Sequence, residues 1–319
     1  MDVIDRANQL AANGQREAAV KLVRDAAEAG DVVALFALAN WRLYGLFGSR
    51  DIAEAHRLLD LAHAGGSSEA ARLKATLMAN GTGIPPSVEG ATRLLEEIAP
   101  GDPVAAAQLG MLGAVEKKND VSDREIVELS ADPVIRSVKQ LLSREECAYL
   151  IALAQPEMRP SFVIDPRTGG QMPHPVRTSH GMNFGPTSEE PAVRLLNQRM
   201  ADATGTKVEN GEPLHILRYA PGQQYKPHLD AIPDAGNQRT WTVLVYLNAD
   251  YTGGETQFDL LGIKHRGEVG DALIFRNVND QGQLDPRLRH AGLAVESGLK
   301  WLATRWIRAK PHDPWTASY

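Results

Sequence analysis

The chain has 319 residues, of which 43% are hydrophobic and 23% charged, a composition typical of a folded globular protein with a sizeable core. Its net charge of −6 argues against a nucleic-acid partner, because nucleic-acid binding needs clustered basic residues. The first residues lack a signal-peptide pattern, and no apolar run approaches the roughly 20 residues of a membrane span. With a single cysteine, Cys147, and therefore no internal disulfide, we expect a cytoplasmic protein without a membrane partner.

The N-terminal part repeats with a step of 36 residues. Alanines and leucines at helical spacing follow this step: Ala19, Ala55, Ala91, Leu22, Leu58 and Leu94. Gly30, Gly66 and, one residue early, Gly101 close the three segments, as glycine C-caps of helices would. The pattern predicts an α-helical solenoid and resembles Sel1-like repeats, relatives of the tetratricopeptide family, over residues 1–113. Such repeats either bind a protein or brace a second domain, and both interpretations remain open.

The sequence pattern changes from helical spacing to shorter apolar runs after a charged segment, residues 114–130, which we interpret as a linker. Ser143 and Glu146 have the spacing of a capping box and predict a helix, and a second helical pattern lies near residues 189–204. Apolar runs typical of β-strands are PLHILRYA, TWTVLVYLN, DALIFRN and WLATRWIRA. The predicted fold class is therefore α+β and multidomain, with helical repeats followed, over residues 131–319, by a β-sandwich or barrel and supporting helices.

A metal site is indicated by the segment 219-YAPGQQYKPHLD-230. In an extended strand His228 and Asp230 point to the same side, so an imidazole and a carboxylate converge. His290, 62 residues further on, supplies a third ligand before another β-type run. Two histidines and one carboxylate form the facial triad of non-haem Fe(II) oxygenases, although zinc hydrolases also use these ligand types.

Lys300 favours the oxygenase interpretation. It lies ten residues after His290 in the apolar run 298-GLKWLATRWIR-308. A lysine inside a small barrel is costly unless it meets an anion, which a dicarboxylate cosubstrate would supply. The hydroxyl groups of Tyr219 and Thr256 could complete the hydrogen bonds to its carboxylates.

Residues 134–308 resemble the prolyl 4-hydroxylase family of 2-oxoglutarate- and Fe(II)-dependent dioxygenases. The matching segments occur in one order: LSREEC, RTSHGM, RYAPGQQYKPHLD, NQRTWTVLVYLN, GGETQF, GDALIF, DPRLRHAGLAV and GLKWLATRWI. The resemblance implies a double-stranded β-helix, a jelly roll of the cupin kind. It also implies Fe(II), 2-oxoglutarate and O2 as reactants, with ascorbate as a reductant.

The resemblance also assigns roles to individual residues. His228, Asp230 and His290 match the catalytic iron ligands. The 2-oxoglutarate site is matched by Lys300, which pairs with the distal carboxylate, and by Tyr219 and Thr256. Substrate-binding positions are matched by Arg177 and Arg239, near the peptide groove, and by Trp306, a pocket aromatic. His180 departs from the small residue frequent in the family, in a loop expected to close over substrate, and His215 is expected to face solvent.

The predicted activity is hydroxylation of a C–H bond, of a prolyl or other residue in a protein or peptide, with succinate and CO2 as coproducts. Asp230 occupies the ligand position that a halogenase leaves open, which favours hydroxylation. A protein or peptide substrate recruited by the helical repeats is the expected partner. The alternatives are a hydroxylase of a free amino acid or small metabolite, a zinc hydrolase and a non-enzymatic repeat scaffold.

Overall fold

The structure is a computed structural model that describes residues 2–118, 120–164, 171–173 and 176–315. The chain divides into two compact units. The first comprises Met1–Gly113 and Pro186–Arg194, and the second Ala114–Gly185 and Leu195–Tyr319. Within the described ranges, every helix is too short or too polar to cross a membrane.

The first unit is built from helices that follow the period of the sequence. They are α1 (Val3–Ala12), α2 (Arg16–Glu28), α3 (Val32–Tyr44), α4 (Ile52–Ala64), α5 (Ser68–Asn80), α6 (Val88–Ile98) and α7 (Pro103–Glu116). The helices α2, α4 and α6 begin 36 residues apart, so each repeat is a helix pair. Ala19, Ala55 and Ala91 are buried, and their small side chains let neighbouring helices approach closely. The predicted helical solenoid is confirmed.

Short polar side chains define where these helices begin. Asp31, Asp51, Ser67 and Ser87 each accept a hydrogen bond from a backbone N–H in the first turn of the following helix. At the other end, Gly30 and Gly66 have φ of +86° and +96°, as predicted for C-cap glycines. Gly101 was predicted wrongly, because α6 ends in a 3-10 turn containing a proline, and Gly101 lies in that turn without a left-handed conformation.

The second unit contains α8 (Arg144–Ala154), most of α9 (Pro191–Asp202) and the strands. The strands are β1 (Ile126–Ser130), β2 (Ile135–Val138), β3 (Arg159–Pro160), β4 (Phe162–Ile164), β5 (Gln171–Pro173), β6 (His180–Phe184), β7 (Leu214–Tyr219), β8 (Tyr225–His228), β9 (Arg239–Tyr246), β10 (Tyr251–Gly253), β11 (Thr256–Phe258), β12 (Ile263–His265), β13 (Ala272–Arg276), β14 (His290–Gly292), β15 (Val295–Gly298) and β16 (Lys300–Arg308).

Two sheets form the β-structure around the site. The larger has the order β1-β2-β13-β9-β16-β7-β6-β3, and the smaller has the order β12-β11-β14-β8. Successive strands pass from one sheet to the other: β7, β9, β13 and β16 lie in the larger sheet, and β8, β11, β12 and β14 in the smaller. One hydrophobic cluster contains Phe258 of the smaller sheet with Leu217, Leu244 and Phe275 of the larger. This is the double-stranded β-helix, so the predicted fold class, helical repeats followed by a jelly roll with supporting helices, is confirmed.

The local predictions for the second unit hold in most places. The four apolar runs form β7, β9, β13 and β16. Ser143 and Glu146 form the capping box at the start of α8. Cys147 in the same helix is fully buried, and burial raises the pKa of its thiol to about 12, so it serves packing.

The predicted linker, residues 114–130, is corrected by the structure. Its first residues complete α7, and its last five form β1, which pairs with β2 in the larger sheet. The strand escaped prediction because β1 lies at the edge of the sheet and exposes its first three residues, including 54% of Ile126. Without a buried face, the sequence shows no clear alternation of apolar and polar residues.

Candidate active site

The three predicted metal ligands meet where β8 and β14 pair. His290 lies opposite His228 in this antiparallel ladder, and Asp230 follows β8 by two residues. One ligand atom of each residue lies within 4.8 Å of those of the other two. The Nε2 atom of His228 is 3.5 Å from Oδ1 of Asp230, and Nε2 of His290 is 3.6 Å from Oδ2. Strand pairing therefore joins residues that are 62 positions apart.

Backbone carbonyls orient both imidazoles. The Nδ1 atom of His228 lies 2.8 Å from the carbonyl oxygen of Lys226, and Nδ1 of His290 lies 3.0 Å from that of Leu288. A carbonyl oxygen can only accept, so each Nδ1 carries the proton and each Nε2 keeps its lone pair. Metal-binding histidines typically donate a hydrogen bond from the other ring nitrogen in this way, which fixes the orientation of the ring.

Asp230 is held as a buried carboxylate. Burial raises the pKa of Asp230, but His290, His228 and Thr242 outweigh burial and bring it well below its ordinary value. Thr242 donates a hydrogen bond from Oγ1 to Oδ2 of Asp230 at 2.7 Å. Asn277 in turn donates from Nδ2 to Oγ1 of Thr242 at 2.8 Å. Sequence reasoning missed both supporting residues.

The donor set fits the metal that the sequence implies. Burial lowers the pKa of His290 to about 4, so its imidazole is neutral at physiological pH. Two imidazole nitrogens and one carboxylate on the same face of a metal position are the ligands typical of non-haem Fe(II) oxygenases. The ligands thus present about one negative charge to a dication.

A cavity opens onto the three ligands. Its lining consists of Leu217, Tyr219, Tyr225, His228, Asp230, Leu244, Thr256, His290, Gly292, Lys300, Leu302, Thr304 and Trp306. Seven of the nine predicted site residues are among them. The strand period explains the lining, because alternate residues of β16, from Lys300 to Trp306, face the same side.

Lys300 is a buried cation at this cavity, with only 2% of its surface exposed. Its Nζ donates to the carbonyl oxygen of Gly254 at 2.6 Å and lies 5.6 Å from the ring centres of Tyr219 and Tyr246. No carboxylate of the described residues forms a salt bridge with it. Burial lowers the pKa of Lys300 to about 8, and the charge of Glu255 only partly offsets this effect.

Three residues with hydroxyl groups lie near Lys300 or near one another: Tyr219, Tyr246 and Thr256. Tyr219 lies opposite Lys300 in the β7–β16 ladder, and Thr256 is 2% exposed. The Tyr246 hydroxyl lies 3.1 Å from Oγ1 of Thr256. Tyr246 was missed, although the alternation in TWTVLVYLN could have identified it, since Thr242, Leu244 and Tyr246 are two residues apart.

The predicted substrate-binding residues lie at the edge of the cavity. The Arg239 guanidinium makes two hydrogen bonds to the Glu212 carboxylate, of 2.6 and 2.7 Å, and lies 4.1 Å from the centre of the Trp306 ring. The buried Trp306 Nε1 has no hydrogen-bond partner among the described residues. Arg177 lies 5.6 Å from the ring centre of Tyr225.

Two histidines differ from expectation. His215 is buried, with 5% exposure, and burial lowers its pKa to about 3. Its ring packs against Gly181, where a Cβ atom would lie 2.4 Å from Nε2, so the neighbouring strand accommodates it. His180 begins β6 and pairs with Arg218, so it lies in a strand rather than in a closing loop.

Several known proteins have similar sequences. Residues 214–308 match the family model of the 2OG-Fe(II) oxygenase superfamily. Prolyl 4-hydroxylase 1 of Arabidopsis thaliana is 39% identical over 201 residues, which cover 57% of this chain and 71% of the relative. Probable prolyl 4-hydroxylase 10 of the same plant is 36% identical over 211 residues, covering 59% and 73%.

Two solved structures are also similar. The viral collagen prolyl hydroxylase of Paramecium bursaria Chlorella virus 1, in complex with 2-oxoglutarate, has 28% identity and a TM-score of 0.46, and the match covers 55% of this chain and 96% of that one. A Sel1 repeat protein from Oxalobacter formigenes has 28% identity and a TM-score of 0.31, with 34% and 47% covered.

Proposed function

Because the chain belongs to the prolyl 4-hydroxylase family of 2-oxoglutarate- and Fe(II)-dependent oxygenases, we propose that it hydroxylates a prolyl residue of a protein or peptide, releasing succinate and CO2. Lys300 is the observation that carries this proposal. It is a buried cation that shares one cavity with His228, Asp230 and His290 and lacks an anionic partner among the described residues. A dicarboxylate that reaches from Lys300 to the three ligands would supply this anion.

The ligands and the cavity wall divide the work in this proposal. Fe(II) held by His228, Asp230 and His290 would supply oxygen activation coupled to decarboxylation of 2-oxoglutarate. Lys300 donates to the distal carboxylate of 2-oxoglutarate, and Thr256 adds a hydroxyl hydrogen bond. The leucines of the lining exclude water from the reacting groups: Leu217, Leu244 and Leu302.

The substrate side of the cavity has an aromatic character. Tyr225 stacks on His228 with ring centres 3.5 Å apart, and Trp306 lines the same cavity. Flat rings and a free indole N–H suit a prolyl ring and a neighbouring peptide carbonyl. Glu212 and Arg239 fix the Trp306 ring from behind, so we assign them to substrate positioning.

Succinate release tests the proposal. The protein is incubated with Fe(II), 2-oxoglutarate and ascorbate, included as the proposed reductant, with and without a pool of proline-rich peptides. We expect peptides to stimulate succinate release and Asp230→Ala to abolish it, while Asp280→Ala, at an exposed position, leaves it unchanged. Mass spectrometry of the pool should then find a gain of one oxygen on proline.

Other outcomes separate the alternatives. Slow succinate release that no peptide stimulates would favour a free amino acid or small metabolite as substrate. A metal-loaded protein that releases no succinate under any condition contradicts the proposed reaction.

A further inference from the structure

The first unit contains a short segment from the second half of the sequence. Residues 186–190, with the sequence PTSEE, lie between β6 and α9 in the chain but belong to the unit formed by the helical repeats. We call these five residues the docking segment. The helices α3, α5 and α7 are the second helices of the successive repeats, and each contributes a polar side chain that contacts the docking segment.

Each of the three contacts engages a different chemical group. The Tyr44 hydroxyl lies 2.5 Å from Oγ1 of Thr187. Asn80 donates from Nδ2 to the backbone carbonyl of Pro186 at 2.7 Å. Gln108 donates from Nε2 to the carboxylate of Glu190 at 2.5 Å, and both of these side chains are buried. Tyr44 and Asn80 end their helices at equivalent positions, 36 residues apart.

Asn80 is oriented before it meets the docking segment. Its Oδ1 accepts hydrogen bonds from the backbone N–H and the hydroxyl of Thr82, at 3.1 and 2.8 Å. The amide NH2 group is therefore directed at the Pro186 carbonyl. An asparagine fixed in this way recognises the peptide backbone, whereas Tyr44 and Gln108 recognise the side chains of the segment.

These contacts have the organisation of a peptide-binding surface. Stacked helical repeats create extended surfaces on which successive repeats can contact one peptide. Along α3, α5 and α7 in turn, the docking segment offers the Thr187 hydroxyl, the Pro186 carbonyl and the Glu190 carboxylate. Two glutamates also make it acidic, and Glu190 is buried where a neutral amide donor satisfies it.

We propose that the row Tyr44, Asn80 and Gln108 is a binding site for a short acidic peptide segment, and that its resident ligand is the chain's own docking segment. The row therefore binds a segment of its own chain, and a second peptide cannot bind to the row while the docking segment occupies it. A tethered segment acts at an effective concentration of roughly millimolar, so it outcompetes a weakly binding free peptide.

A labelled peptide of residues 183–195 tests the site in the full chain by fluorescence anisotropy. The wild-type protein should not bind it measurably at micromolar concentrations, because the site is filled. The Thr187→Ala/Glu190→Ala variant removes two contacts from the resident segment, so the peptide should bind at least about tenfold more tightly than to wild type. The readout is binding, so its outcome is independent of the proposed enzymatic function.

Further substitutions locate the binding to this row. On the Thr187→Ala/Glu190→Ala background, Tyr44→Phe and Asn80→Ala should each weaken peptide binding severalfold. Asn40→Ala is the matched control, since Asn40 donates within its own helix, to the Phe36 carbonyl. Tyr44 is 51% exposed, so its replacement by phenylalanine leaves the fold intact.

The proposal fails if the folded Thr187→Ala/Glu190→Ala variant binds the peptide no better than wild type, or if Tyr44→Phe and Asn80→Ala leave binding unchanged. Cleavage by a glutamyl endopeptidase after Glu189 provides a second measurement, which does not depend on that variant. Asn80→Ala should accelerate this cleavage in the full chain, whereas Asn40→Ala should not. Equal cleavage rates in the two variants would overturn the assignment.

Discussion

Asp230 illustrates how one residue is fitted for a metal before the metal binds. Its carboxylate could rotate and offer either oxygen, but the Thr242 hydroxyl bonds Oδ2. The hydroxyl accepts from Asn277 and therefore has its only proton directed at Asp230. All three side chains are buried, with exposures of 4%, 0% and 2%, so water does not substitute for a lost partner. Oδ1 remains available as the ligand atom.

Replacing Thr242 should therefore weaken metal binding. We expect Thr242→Val to lower Mn(II) affinity by about 10–100-fold, the usual effect of removing a partner of a metal ligand, and Thr242→Ser to restore most of it. Isothermal titration calorimetry with Mn(II) measures this without turnover. Thr252→Val, at an exposed strand position, is the control. An affinity within twofold of wild type for Thr242→Val would show that the hydroxyl does not position Asp230.

The lowered pKa of Lys300 predicts that the KM for 2-oxoglutarate depends on pH. Its pKa of about 8 lies below the ordinary value of 10.5, so raising the pH through 8 converts the ammonium of the free enzyme into a neutral amine. The neutral amine cannot pair with a carboxylate, and the KM for 2-oxoglutarate should rise about tenfold for each pH unit well above 8. Succinate release from pH 6.5 to 9.5 measures it, and a KM that stays flat across this range would contradict the assignment.

The same shift gives a stability effect of known sign. The unfolded chain keeps Lys300 protonated up to about pH 10.5, whereas the folded chain loses the proton near 8. Ionised Lys300 therefore opposes folding below pH 8, and this cost disappears as the pH rises from 8 to 10.5. If a dicarboxylate pairs with Lys300 as proposed, it would reduce this cost at neutral pH and so link cosubstrate binding to folding.

At the scale of elements, helices and strands with a periodic sequence pattern were predictable. Elements whose conformation depends on neighbouring parts of the structure were not. The 36-residue step fixes α2, α4 and α6, and the apolar runs fix β7, β9, β13 and β16. Strand β1 was missed because an edge strand lacks a buried face, and Gly101 because a proline next to it ended α6 differently. Periodic sequence patterns indicate which face of a helix or strand is buried. They do not reveal an edge strand that is largely exposed, nor the local conformation in which a helix ends.

In the site, the metal ligands and Lys300 were predictable from the sequence, whereas the residues that support them were not. His228 and Asp230 were identified from their spacing along a strand, His290 as the third ligand of a facial triad, and Lys300 because a lysine in an apolar strand requires an explanation. Their supports were not, since Thr242 and Asn277 act through contacts between distant strands that no local spacing reveals. His215 was predicted to face solvent, but the space for its ring is created by the absence of a side chain at Gly181 on another strand.

A buried ion pair fixes α8 against α9. The Arg199 guanidinium lies 2.7 Å from the Glu146 carboxylate and donates to the carbonyls of Leu141 and Val115 at 3.2 and 3.0 Å. The same Glu146 oxygen accepts from the Ser143 N–H at 2.7 Å, so the helix cap and the ion pair share one carboxylate. Both side chains have at most 1% exposure.

Breaking this pair should destabilise the fold strongly. Arg199→Met leaves a buried carboxylate without its cation, and we expect a loss of about 3–5 kcal/mol in the free energy of unfolding. The double variant Arg199→Met/Glu146→Met removes both charges and should recover most of the loss. Urea unfolding followed by circular dichroism measures it. Arg93→Met, in an exposed ion pair, should cost less than about 1 kcal/mol, and equal losses at the two sites would contradict the explanation.

At the scale of the whole molecule, the chain joins a repeat unit to an oxygenase unit. Repeats attached to an enzyme suggest recruitment of its substrate, but the row Tyr44, Asn80 and Gln108 already holds the docking segment. If the row serves the chain itself, its contacts add no binding energy to a substrate peptide. The proposed cis ligand and a recruitment role for the same row therefore predict different kinetics.

Tyr44→Phe should leave kcat/KM for a peptide substrate within about twofold of wild type. Removing the Tyr44 hydroxyl would lower kcat/KM only if this hydroxyl bound the substrate. Succinate release over a range of peptide concentrations gives the value. Trp306→Phe, at the oxygenase cavity, is the comparison variant and should lower kcat/KM by about tenfold or more, since the indole N–H is lost. A tenfold fall for Tyr44→Phe would instead assign substrate recruitment to the repeats, because the substituted hydroxyl belongs to the row and not to the cavity.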